Sequence, residues 1–334
     1  MEKKIENILV CGAGGFIAGF LVRDLLDKGF NIIAADIKPK DKWYQFFEDA
    51  ENHTDCNLQL KENCYRLTKN IDRIYNLACN MGGMGFIESN QALCIENVLI
   101  QTHIMKAAVE NKVGQVLYSS SACVYPTTLG SEIKDSTSQS LKEDDVFPAL
   151  PNEAYGWEKL FSEFTTNHFG KDYGIDTRIC RYHTVYGPQG TWRGGKEKAP
   201  AAICRKVAEA KISGRHEIEI WGDGKQTRSF MYVDDCVKGM DKIWQYGNAD
   251  PINLGSDVMI SINDLVTLVE NIAGVKLKRK YNLDAPQGVR GRNSDNTNIK
   301  NLTGWSPSIP IEVGIEKTYS WIYDQIKTGA NNGY

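Results

Sequence analysis

Tyr155 and Lys159 carry the first chemistry legible in this chain. They form Tyr-x-x-x-Lys, a spacing that sets both side chains on one face of a helix. An ammonium beside a phenol favours the phenolate and draws its pKa toward neutrality. Tyr155 then suits a general base that removes a hydroxyl proton while hydride leaves the same carbon. Such pairs also arise by chance on solvated helix faces, and the upstream string Ser119-Ser120-Ser121-Ala122 supplies the context. It ends an apolar run, and in an open α/β sheet the carboxyl ends of the strands face the ligand.

A second constellation lies near the N-terminus, where Asn7–Cys11 runs into Gly12-Ala13-Gly14-Gly15-Phe16-Ile17-Ala18-Gly19. The spacing is G-x-x-G-x-x-A; a strict G-x-G-x-x-G is not met, because position 17 is Ile. Gly12 permits a tight turn, Gly15 lets backbone approach a pyrophosphate, and Ala18 lets helix and strand pack closely. Asp36 closes the next apolar run, placed to accept hydrogen bonds from a ribose and to repel a 2′-phosphate. That favours NAD over NADP, a preference Lys38 and Lys40 slightly weaken. The candidate cofactor residues are Gly12, Gly15, Phe16, Ile17, Asp36 and Ala78, with Tyr155 and Lys159.

These residues need elements to position them. The pattern predicts strands at Asn7–Cys11, Asn31–Asp36, Arg73–Ala78, Gln115–Ser121 and Thr177–His183. Helices are expected at Phe16–Lys28, Gln91–Glu110 and Ala154–Phe169. The strands are apolar nearly throughout, as strands covered on both faces are, and their alternation with helices reads as a doubly wound parallel sheet. The fold class is α/β: a Rossmann domain over 1–185, joined by part of 229–256, with a smaller C-terminal α/β substrate domain over 186–334. In that second part a strand is expected at Ile218–Trp221, helices near 262–273 and 311–327, and a polar tail over Lys327–Tyr334.

Composition excludes other classes. The net charge of −3 argues against nucleic acid or a membrane surface as partner, and no apolar run nears the roughly 18 residues that span a bilayer. The nine cysteines include no Cys-x-x-Cys, and no apolar leader precedes the first strand, so a reduced, cytoplasmic setting is expected. The five histidines show no ligand spacing, and no metal site is expected.

Gly12, Gly15, Ala18, Asp36, Asn76-Leu77-Ala78, Ser121, Tyr155 and Lys159 together resemble the extended short-chain dehydrogenase/reductase family over nearly the whole chain. The resemblance implies bound NAD, Ser121 and Tyr155 at the sugar hydroxyl to be oxidised, and Lys159 on the nicotinamide ribose. The segments Asn80–Ile87, Ser120–Pro126, Gly194–Pro200 and Gly288–Asn296 resemble, more narrowly, the family's 3,5-epimerases of GDP-hexoses. Trp221-Gly222-Asp223-Gly224 and Gln226–Phe230 fit as well. GDP-mannose is then the expected substrate.

That narrower resemblance implies Cys123 as the base and Lys198 as the acid that exchange ring protons beside a transient C4 ketone. Read alone, Cys123 is a small hydrophobe, Lys198 is a surface lysine, and Lys196 is an equal candidate. Gly82, Gly83, Ser121, Thr184, Lys198, Gln226, Arg228 and Arg290 are the candidate substrate residues, the two arginines because guanidinium groups match phosphate oxygens. Two departures stand out: Thr184 replaces an asparagine, and Asn57-Leu58 replaces Asp-Leu beside the adenine. The alternatives are a 4-epimerase, a 3,5-epimerase of another nucleotide sugar, or a non-catalytic NAD-binding regulator. A homodimer is implied, built on helices Gln91–Glu110 and Ala154–Phe169.

Overall fold

The computed structural model describes residues 5–129, 140–285 and 290–329. Gly288 and Val289 of one family-like segment lie outside them, as does most of the polar tail. Seven parallel strands form the central sheet: β1 (Asn7–Cys11), β2 (Asn31–Ala35), β3 (Glu51–His53), β4 (Arg73–Asn76), β5 (Gln115–Ser121), β6 (Asp176–Tyr182) and β7 (Pro251–Leu254). Their order is β7-β6-β5-β4-β1-β2-β3. The direction of winding reverses between β1 and β4, which opens a crevice at the carboxyl ends of those two strands.

Alternate residues of β1 enter different cores. Ile8 and Val10 join one apolar cluster with Leu21, Val22 and Leu25 of α1 (Phe16–Asp27). Leu9 and Cys11 join the other with Ile104, Met105 and Ala108 of α2 (Asn97–Glu110). Side chains on a strand alternate between faces, so helices on both sides require the unbroken apolar strands that the sequence carries. The catalytic-helix candidate is α3 (Glu153–Tyr173), packed against α2 and β5.

The expected strands 31–36 and 73–78 stop one and two residues early, at Ala35 and Asn76. The residues beyond turn out of the ladder toward the crevice: Asp36 accepts from the Lys38 N–H at 2.9 Å, and Ala78 N–H donates to the Asn76 carboxamide at 3.2 Å. The expected helix 91–110 is two helices, Gln91–Ile95 and α2, meeting at Glu96. Past residue 185 come α4 (Ala199–Ser213), α5 (Val233–Tyr246), α6 (Ile262–Ala273) and α7 (Ile311–Lys327). There, α4 packs on α6 and α7, and small sheets pair Glu217–Trp221 with Lys278–Asn282 and Thr227–Ser229 with Gly291–Arg292.

Candidate active site

The turn after β1 is built for close approach. Gly12 has φ +80°, and a Cβ there would lie 2.9 Å from the Ala78 backbone nitrogen. Its N–H donates to the Ala35 carbonyl at 2.8 Å, and the Cys11 carbonyl before it accepts Leu77 N–H at 3.1 Å, so the turn is stitched to both neighbouring strands. Gly15 opens α1 with no side-chain cap, which leaves first-turn N–H groups for an anion. Phe16 packs under Gly187 and Gly190 of the segment leading into the second half of the chain, and Ile17 lies against the same core.

Asp36 is buried at the tip of β2, and burial pushes its carboxyl upward against the N–H groups that stabilise its charge. The Lys38 ammonium does not stand free beside it: Nζ donates to the Gly14 carbonyl at 3.1 Å. A carboxylate, a bare helix N-terminus and a glycine cradle at one crevice fit a dinucleotide with an unphosphorylated ribose.

The three serines at the end of β5 have different partners. The Ser119 carbonyl accepts from Lys159 Nζ at 3.1 Å. Ser120 Oγ donates to Glu163 at 2.5 Å, which locks β5 to α3, and Arg181 grips the same carboxylate from β6 at 2.8–2.9 Å. Ser121 Oγ accepts the Cys123 N–H at 3.2 Å, which shapes the turn that presents Cys123. Ser119 and Ser120 are buried, and Ser121 is half-buried.

Tyr155 and Lys159 share the buried face of α3, with Lys159 Nζ 5.5 Å from the Tyr155 ring centre and 4.9 Å from that of Tyr118. Burial pushes the Tyr155 phenol well above its usual value; Lys159 works against this, while Cys79, Cys123 and Glu158 add to it. The neutral-range phenol expected from the motif is therefore not produced by Lys159 alone, because desolvation outweighs it.

Lys198 reaches the same centre from the N-cap of α4. Burial lowers its pKa, opposed by Cys123, Cys79 and Cys236. Lys196 instead lays its ammonium 4.4 Å over the Phe86 ring and acts on Cys94, whereas Lys198 acts on Cys123 and Cys79. Gly83 links the two loops: its N–H donates to the Lys196 carbonyl at 3.0 Å, and a Cβ would meet the Glu197 carbonyl at 2.7 Å. Gly82 is buried against Phe86.

The arginines separate. Arg290 makes a bidentate pair with Asp223 at 2.8 and 3.0 Å. Arg228 lies close to Arg292, and burial, then that neighbour, brings its pKa down to about 10. Arg292 donates Nη1 to the Ala122 carbonyl at 3.1 Å, while its buried Nε and Nη2 have no partner among the described residues. Arg292 was not singled out from the sequence, although its place in the Gly288–Asn296 string was the available signal. Gln226 Nε2 donates to the Trp221 carbonyl at 2.8 Å, and its buried Oε1 has no partner among the described residues. Thr184 is half-buried two residues past the end of β6, its carbonyl taken by Met231 N–H at 2.9 Å. His183, driven to about 4 by burial, is neutral and bonded to Asn253.

A family model described as the NAD dependent epimerase/dehydratase family matches residues 8–255, and the chain belongs to that family. NAD is accordingly its cofactor. Over 324 residues the chain is 43% identical to the GDP-mannose 3,5-epimerase of Arabidopsis thaliana, covering 96% of this chain and 83% of that one. Among solved structures, the UDP-glucose 4-epimerase of Thermotoga maritima superposes with a TM-score of 0.85 at 23% identity, covering 96% and 99% of the two chains. The UDP-glucuronic acid 4-epimerase of Bacillus cereus, solved in complex with NAD, superposes at 0.79 with 25% identity, covering 98% and 100%.

Proposed function

We propose that this chain is a GDP-mannose 3,5-epimerase working as a homodimer, with NAD reduced and restored in each turnover. The observation that supports the reading is Cys123 packed against Tyr155, with Lys198 within electrostatic reach of Cys123; the 43% identity to the plant enzyme supports the sugar nucleotide. The cofactor half is 1–185 with part of 229–256, and 186–334 holds the substrate.

Bound NAD would supply a hydride acceptor for C4 of the hexose and the hydride that restores it. Gly12, Gly15, Phe16, Ile17, Asp36 and Ala78 would hold it, and Lys159 would hold its nicotinamide ribose. Tyr155, with Ser121, takes the proton of the C4 hydroxyl. The C4 ketone acidifies the protons on C3 and C5. Cys123 as thiolate removes a proton from one face, and Lys198 as ammonium delivers one to the other, which inverts the centre. The lowered pKa of Lys198 makes it a readier donor than a surface lysine. Arg228 and Arg292 receive the diphosphate, with Gly82, Gly83, Thr184 and Gln226 around the rest of the substrate.

The test is GDP-mannose in heavy water, followed by NMR. Deuterium entering C3 and C5 with epimerised products is expected. Change at C4 without solvent exchange points to a 4-epimerase, and overturns the reading. Cys123→Ser should keep C4 oxidation while ring-proton exchange falls at least a hundredfold, the usual worth of a positioned base; unchanged exchange removes Cys123 from the chemistry.

A further inference from the structure

One ionisable group inside the site has no part in the chemistry above. Glu158, directly before Lys159 on α3, is 0% exposed. A carboxylate so deep must be paired or fully hydrogen-bonded, and its partners are specific. Oε1 accepts from Asn97 Nδ2 at 3.2 Å and lies 3.5 Å from Lys159 Nζ; Oε2 accepts from Ser162 Oγ at 3.4 Å. The Asn97 carboxamide cannot be turned the other way, because its Oδ1 accepts the Asn80 N–H at 2.7 Å while Nδ2 also donates to the Asn80 carbonyl at 3.0 Å. A donor is thereby fixed against Oε1. Burial pushes the Glu158 carboxyl upward, and the Lys159 charge and the hydrogen bonds from Asn97, Lys159 and Ser162 work against it in favour of the carboxylate.

We propose that Glu158 is a positioning residue for the Tyr155–Lys159 pair: its carboxylate holds the Lys159 ammonium and, through Asn97, ties it to the loop that carries Asn80, Gly82 and Gly83. The proposal rests on the reading of Tyr155 as the base for the C4 hydroxyl. Its consequence is electrostatic as well as geometric. Tyr155 is faced by Lys159 and Glu158 from its own helix, by Cys79 from the loop after β4, and by Cys123 from the turn after β5. Tyr118 on β5 borders Lys159, and Lys198 reaches both cysteines from α4. Among these, Lys159 favours the phenolate and Glu158 opposes it. The carboxylate thus keeps the ammonium in place while limiting how far it acidifies the phenol. Removing the negative charge makes the phenolate easier to form, so the apparent pKa of Tyr155 falls.

The experiment uses Glu158→Gln and Glu158→Asp in the NAD-loaded chain, with Tyr155→Phe as the blank. Phenolate absorbance is titrated in the ultraviolet, and the pH dependence of C4 oxidation is followed through the reduced-nicotinamide band. For E158Q, both the phenolate titration and the acidic limb of the rate should move about one pH unit lower, a single nearby charge being worth about that much. E158D, which retracts the charge by one methylene, should move the same way by less. Wild-type titration and rate profiles in both variants would reduce Glu158 to a space-filling residue and overturn the proposal. If E158Q fails to fold, E158D alone decides. A wild-type chain that turns over no nucleotide sugar sinks the functional reading instead, because the phenolate titration still reports on Glu158.

Discussion

Arg292 illustrates what a single side chain reveals only in three dimensions. From the sequence, Arg228 and Arg290 read as the diphosphate ligands, and Arg292, two residues past Arg290, is not singled out. The fold pairs Arg290 with Asp223 and leaves Arg292 half-buried beside Arg228, with two buried nitrogen atoms that have no partner among the described residues. Two like charges brought together out of water destabilise the unliganded chain unless an anion completes them. Arg292→Met is therefore expected to weaken GDP binding by about 2 kcal/mol, roughly thirtyfold in Kd, the worth of hydrogen bonds to a charged partner. NAD affinity should hold, and without nucleotide the melting temperature should stay level or rise. Isothermal titration with GDP and a thermal melt measure both; undiminished GDP affinity would assign the diphosphate elsewhere.

At the scale of elements, the parts fixed by periodicity were legible and those fixed by tertiary contact were not. β1 and β5 fall where their apolar runs place them, and so do α6 and α7, because both faces of each strand and one stripe of each helix must be apolar. β3, three residues with a polar sequence, carries no such signal and exists through pairing with β2. The motif residues could be located, but not their pairings: which serine faces the site, or which of Lys196 and Lys198 enters it, depends on how the loop at 194–198 meets the loop at 80–85. Gly83 is where they meet, since a Cβ there would press on the Glu197 carbonyl at 2.7 Å, whereas Gly85 has nothing within 4 Å. Gly83→Ala should force the loops apart and displace Lys198, lowering kcat at least tenfold with NAD binding intact. Gly85→Ala, inside the helix Met84–Ser89, should match wild type or gain up to about 1 kcal/mol from helix propensity. Equal kcat in the two variants would mean that the loop contact does not position the acid.

At the scale of the whole molecule, the described residues leave an apolar surface on α3 and the helices beside it exposed. On α3, Trp157, Phe161 and Phe164 are 48%, 57% and 46% exposed, at the i, i+4, i+7 spacing of a single helix face. Leu93, Ile95 and Leu99 add exposed apolar groups from the neighbouring helices, with Phe147 and Leu150 alongside. The opposite face of α3 buries Tyr155, Glu158, Lys159 and Glu163 inside the protomer. A helix whose other face is already packed inside the protomer needs a second partner to cover an exposed apolar stripe, and a symmetric pairing of two copies would cover the stripe with its own counterpart. Such a dimer would clamp the catalytic helix from outside while β5 and α2 hold it from within. Phe161→Asp would bury one charge in each half of that contact, a loss on the order of 3 kcal/mol per side. Analytical ultracentrifugation should then show a dimer for the wild-type chain and a monomer for the variant, with the NAD site, on the far side of α3's own contacts, still competent to bind. A wild-type chain that sediments as a monomer at micromolar concentration would end the dimer reading, and would leave the exposed aromatic stripe to be covered by something other than a second copy.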